Sequence, residues 1–138
     1  MKILGTDLKS DHAIITILEG DSKKFNVVSC KTRKLNLENS SSVEEVKSFK
    51  SKFEDILKEH KIKRVIIKKR IERGMYAGAA GSFKLEGIIQ LNSVCEVEII
   101  SAQKIRASVK KNPVDFPKEI NDFQEASFET AYAYLKIK

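Results

Sequence analysis

The run Val65-Ile66-Ile67 constrains this chain more than any other feature. It is short, β-branched and shows no alternation of apolar with polar residues, which is the pattern of a strand covered on both faces at the centre of a sheet. Such a strand needs a layer of helices on each side, so an α/β architecture is expected.

The flanking segments supply those layers. Ahead of the run, Ser42 is followed at the third position by Glu45, the spacing of a capping box. Val43, Val46, Phe49, Phe53, Ile56 and Leu57 then recur at helical intervals through about His60. After it, the small-residue stretch Ala77 to Ser82 leads into Phe83, Leu85, Ile88, Ile89 and Leu91, a second helix. Val94 to Ile100 reads as a further strand, residues 101–106 as a short helix, 112–117 as a loop, and Asp122 to Leu135 as the last helix. Before all of these, Lys2 to Leu8 and His12 to Leu18 read as two strands joined by the hairpin connection Lys9-Ser10-Asp11, and Lys24 to Lys34 as a third, edge strand. The order is three strands, helix, strand, helix, strand, helix. It predicts a five-stranded mixed sheet, with three antiparallel strands followed by two joined through helical crossovers, and helices on both faces.

At 138 residues the chain fits one domain spanning 1–138, able to bury about two-thirds of its unfolded surface. No apolar run approaches the length of a membrane span, and Met1 to Gly5 passes directly into a strand without the pattern of a signal peptide, so a soluble, cytoplasmic protein is expected. Cys30 and Cys95 stand far apart in apolar contexts and read as buried free thiols. His12 and His60 lack partners at metal-ligand spacing and read as a strand residue and a helix-end residue.

The net charge is +7 and the pI about 9.4, which favours anionic partners, nucleic acid first among them. The charge is concentrated. Residues 61–73 hold seven basic side chains (Lys61, Lys63, Arg64, Lys68, Lys69, Arg70 and Arg73) against the single acid Glu72, and Lys104, Arg106, Lys110 and Lys111 follow the fifth strand. Since those two strands should be neighbours, both groups would line the carboxyl-end edge of the sheet and hold phosphates there; solvated surface charge is the alternative. Tyr76 is the one aromatic near the first cluster, so contact with a duplex backbone fits better than stacking on unpaired bases. The stretch from Ala77 to Ser82 allows either close packing of a helix on the sheet or approach of a phosphate to a helix N-terminus, and packing is favoured.

The chain resembles the RNase H-like superfamily, on its resolvase-like branch, and within it an uncharacterised family of small bacterial proteins. The residues that carry the resemblance are Ile3 to Asp7, Val65 to Lys69, Phe83 to Gly87, Ile99 to Ser101, and Gln124 to Ala126 with Thr130 to Ala133. It implies a nuclease core in which acids on the first strand, at the end of the fourth strand and on the last helix hold two Mg²⁺ or Mn²⁺ ions, because hard cations take oxygen ligands. Asp7 matches the first-strand acid; the other reading has it begin the hairpin turn, a role also open to Asp11. Glu125 matches the last-helix acid, with Glu129 one turn later. Glu125 would equally close a helix cap begun by Asp122.

The fourth-strand position falls at Lys69, where an ammonium would repel a divalent ion and could take the cation's place beside Asp7. Glu72 is the nearest acid that could reach back. The resemblance therefore implies a nucleic-acid-binding protein with a degenerate or reduced metal-dependent nuclease site, built on Asp7, Glu125 and Glu129 with Mg²⁺ or Mn²⁺. A non-catalytic module that binds a protein partner on the same scaffold is the alternative.

Overall fold

A computed structural model describes residues 1–69 and 80–138. Strands β1 (Lys2–Lys9) and β2 (His12–Gly20) form an antiparallel hairpin in register from Lys2 opposite Glu19 to Lys9 opposite His12. The turn is two residues, Ser10 and Asp11, and Ser10 takes φ +48, as the tight turns that match strand twist demand. On its other side β1 pairs in parallel with β5 (Arg64–Lys68), and β5 pairs in parallel with β6 (Glu96–Ile100).

The expected third strand is two. β3 (Phe25–Val28) and β4 (Lys34–Asn36) both pair with β2, Val28 lying opposite Ile17 and Lys34 opposite Ile14. Five residues, 29 to 33, therefore face only Ile15 and Thr16 and must loop out of the ladder; the Ile15 N–H still reaches the Arg33 carbonyl at 3.0 Å. The sheet thus has six strands rather than five, in the order β3-β2-β1-β5-β6 with β4 also on β2.

Helix α1 (Val43–Glu59) starts where its capping box indicates, the Ser42 side chain accepting from the Glu45 N–H at 3.3 Å. Phe49, Phe53, Ile56 and Leu57 are buried, whereas Val43, the first residue of the helix, is exposed. Helix α2 (Ala80–Gln90) lies on the same face and buries Leu85, Ile88 and Ile89; Leu91, just past its end, is exposed. These helices enclose a core with Leu4, Leu8, Ile15, Ile17, Val65 and Ile67. A Cβ on Gly81 would lie 2.6 Å from the Ser10 carbonyl oxygen, so close packing of α2 on the hairpin turn accounts for that glycine.

The opposite face carries α3 (Ala102–Lys111) and α4 (Glu125–Ile137), the latter entered through a 3-10 turn, Asp122–Gln124. Ser101 caps α3 by accepting from the Lys104 N–H at 3.2 Å, and the helix runs well beyond the short segment expected. Ile3, Leu18, Ile66, Ile105, Phe128, Ala131 and Leu135 form this second core. Val65, Ile66 and Ile67 are wholly buried, on alternating faces, as the sequence predicts for a central strand. No helix among the described residues is long and apolar enough to cross a membrane.

Helix α4 sits unusually close to β1. A Cβ on Gly5 would be 2.2 Å from the Ser127 carbonyl oxygen and 2.8 Å from the Ala131 Cβ. Small residues on both sides, Gly5 on the strand with Ser127 and Ala131 on the helix, make this approach possible.

Candidate nucleic-acid interface

Strand alternation puts Ile3, Gly5 and Asp7 on the α4 face of β1, and the contacts of Gly5 and Ile3 with α4 residues bear this out. Asp7 is therefore one step beyond the closest strand–helix approach, and it is 2% exposed. It remains within the strand, opposite Ile14, so the turn reading does not hold. The turn is served by Asp11, whose exposed carboxylate lies 3.1 Å from His12 Nδ1, a hydrogen bond that lowers its pKa. Lys9, next along the same face of β1, brings its Nζ to 3.9 Å from Asp7 Oδ2.

The parallel register sets Thr6 opposite Ile67, which makes Asp7 level with Lys68 on the neighbouring strand. Alternation from Ile66, a member of the α4-side core, puts Lys68 on the same face as Asp7. Lys69 follows the strand, its N–H donating to the Ile100 carbonyl at 2.8 Å. By this register the basic residue level with Asp7 is Lys68, and Lys69 lies one residue beyond it.

Asp7 and Lys68 lie toward the carboxyl ends of adjacent parallel strands, with β2 beyond β1 on one side and β6 beyond β5 on the other. In open α/β sheets this is where ligands bind, outside the carboxyl ends of the strands at the switch in strand order.

The last helix contributes Glu125 and Glu129. Its cap begins one residue earlier than the Asp122 to Glu125 spacing suggests: the Asn121 N–H donates to Gln124 Oε1 at 2.9 Å. Gln124, not Glu125, closes the cap. The Gln124 amide also donates to the Ile15 carbonyl at 2.9 Å, and Ser127 Oγ lies 2.6 Å from Thr16 Oγ1, so a buried polar network fixes the start of α4 over β2. Glu125 is left half-buried at the first position of α4, with Glu129 one turn on. Burial raises the Glu129 pKa; Lys68 opposes that rise and Glu125 adds to it. Lys68 and Glu125 are therefore each near enough to act on Glu129.

A two-metal centre needs several carboxylate oxygens converging on each ion. Among the described residues no three acidic, histidine or cysteine side chains converge closely enough to hold a metal. Ammonium groups stand beside the acids instead, Lys9 at Asp7 and Lys68 in the field of Glu129. The described residues do not fit the Mg²⁺ or Mn²⁺ pair that the resemblance implies.

Of the expected phosphate-binding residues, Lys69 and Lys104 line one cleft of about 250 Å³ at the start of α3, together with Glu98 and Ser101. Arg106 is exposed but lies two residues from Lys104, about 200° around the helix, and does not line this cleft. Arg64 is committed elsewhere, to Glu96 at 2.9 Å and Glu98 at 3.5 Å. Arg70, Glu72, Arg73 and Tyr76 lie outside the described residues, as does the stretch from Ala77 to Ala79. Cys30 and Cys95 are partly buried free thiols, both with pKa values raised by burial.

A family described as protein of unknown function (DUF3010) matches residues 1–134. The chain belongs to this family. No curated protein is similar to it in sequence. Among solved structures, RuvC of Thermus thermophilus in complex with a Holliday junction substrate superposes on this DUF3010 chain with a TM-score of 0.75 at 10% identity, covering 99% of this chain and 96% of the other. A second T. thermophilus RuvC structure gives 0.71 at 11% identity, with 96% and 92% covered. The fowlpox virus Holliday junction resolvase gives 0.60 at 15% identity, with 99% of both chains covered. At these identities the likeness establishes the fold, which is RNase H-like.

Proposed function

We propose that this DUF3010 protein binds nucleic acid, branched duplex DNA above all, at the carboxyl end of its parallel strands, and that its nuclease site is reduced to a metal-independent anchor. The observation that carries the reading is the level placement of Lys68 beside Asp7, in the field of Glu129. In a metal nuclease the acids assemble cations that neutralise the phosphodiester; here covalently attached ammonium groups supply that charge. Asp7, Glu125 and Glu129 orient Lys68 and Lys9, and these with Lys69 and Lys104 face the phosphate backbone. Arg106, exposed on α3, adds further positive charge. The complex of T. thermophilus RuvC with a Holliday junction, on the same fold, supports branched DNA as the substrate class.

Lysines that neutralise phosphates release counterions, so affinity should fall steeply with salt. Fluorescence anisotropy with a four-way junction, a linear duplex and an RNA–DNA hybrid tests this. Lys69→Ala with Lys104→Ala should lower the salt slope by about 2, near one unit per phosphate contact. Absence of binding to all three at low salt would remove the reading. Junction cut in Mg²⁺ or Mn²⁺, and left intact by Asp7→Asn, would replace the anchor with an active nuclease.

A further inference from the structure

Beyond the acid end of the sheet, α3 and the last turn of α4 enclose a groove of about 430 Å³ lined by Lys104, Lys111 and Lys136, with Ala107, Ser108, Asn112 and Ile137 between them. Among the described residues no acidic side chain lines it. Lys104 and Ile137 also line the cleft that holds Lys69, so the two depressions are continuous, and the path runs from the end of β5 along the length of α3. The one acid on the path, Glu98, is already engaged by Arg64 at 3.5 Å and Lys138 at 4.0 Å.

The walls are fixed. Ile105 and Ser108 bury the inner face of α3, and the Tyr132 hydroxyl donates to the Asn112 carbonyl at 2.7 Å, tying the end of α3 to α4. The Lys136 ammonium is held by the Ser22 carbonyl and lies 5.5 Å over the Tyr132 ring. Lys104 and Lys111 are seven residues apart, hence two turns and about 10 Å along one side of the helix. A single strand of duplex advances about 3.4 Å per nucleotide, so this spacing follows roughly three nucleotides of backbone.

We infer that the α3–α4 groove is a second phosphate track, which holds the sugar-phosphate backbone of a duplex arm as it leaves the carboxyl end of the sheet. This rests on the nucleic-acid reading and extends it to a surface away from the acids. Among the described residues, lysines with aliphatic and uncharged polar side chains line the groove, without an aromatic ring or an arginine fork to read a base edge, so recognition there is of backbone, independent of sequence.

Lys111→Ala removes one exposed charge at the far end of the track, and Ala107→Glu sets a carboxylate in its middle. Anisotropy with a long-armed four-way junction should show the salt slope reduced by about 1 in Lys111→Ala and affinity lowered at least about tenfold in Ala107→Glu, with both expected to melt as wild type. Should Ala107→Glu fold poorly, the slope in Lys111→Ala decides alone. If wild type binds and Lys69→Ala weakens it while Lys111→Ala leaves affinity and slope unchanged, the groove is not a track and the acid-end reading stands. If wild type binds no junction at all, both fall.

Discussion

The two faces of the sheet are built on different principles. Under α1 and α2 the packing is mainly apolar, Leu4, Leu8, Ile15, Val65 and Ile67 meeting Phe49, Phe53, Leu57, Leu85 and Ile89, with Thr6 and Ser82 buried as well. Under α4 the apolar core shares its space with Gly5, Asp7, Thr16, Gln124 and Ser127, all but fully buried, the last three joined by hydrogen bonds. The first face is held by a non-directional force that tolerates rearrangement. The second depends on contact distances and polar partners that few substitutions preserve. The acids and Lys68 lie on the second face, so α4 is held rigidly over the residues it must position.

That contrast can be broken by substitution. Gly5→Ala should have the largest effect, because its methyl would meet a backbone carbonyl at 2.2 Å and α4 would have to move; a loss of about 3 kcal/mol or more is expected, measured by chemical denaturation. Gln124→Leu comes next. It strips the Ile15 carbonyl and the Asn121 N–H of their partner, at a cost of about 1–3 kcal/mol. On the apolar face, Leu57→Met keeps volume and should cost under about 1.5 kcal/mol although Leu57 is wholly buried. Equal losses from Leu57→Met and Gly5→Ala would contradict the contrast.

The smallest effect concerns pH. The Glu129 pKa is raised by burial, against the pull of Lys68 and with the push of Glu125. A carboxyl with a raised folded pKa contributes its stability at low pH, and that contribution is lost as pH rises through the folded value. Glu129→Gln should therefore match wild type in Tm near pH 4 and melt slightly higher at neutral pH. A lower Tm for Glu129→Gln at neutral pH that disappears in acid would reverse the sign and place Glu129 in a stabilising ion pair instead.

Much of this was legible in the sequence where a single residue pattern decides the outcome. Val65 to Ile67 announce a doubly covered strand, Ser42 and Glu45 a helix start, and the order of elements a mixed sheet of this topology. What was not legible depends on register. Lys68 and Lys69 are chemically alike, and only the pairing of Thr6 with Ile67 decides which one lies level with Asp7. The division of the third strand into β3 and β4 follows from a mismatch in length against β2 that alternation within 24–34 does not reveal. Gln124 was hidden because Asp122 and Glu125 offer the same cap spacing one residue later, although Asn121 and Gln124 carry the pattern too. Lys111 and Lys136 come together only through the packing of α3 on α4.

The central claim is that covalently held ammonium groups do the work of divalent cations at the end of the parallel strands. Its most direct test is the affinity of the protein for a four-way junction, measured by anisotropy at fixed ionic strength in EDTA and again in Mn²⁺. Equal affinities, with binding weakened by Lys68→Gln in both, are the predicted result. Binding that requires Mn²⁺ and disappears in Asp7→Asn would contradict it.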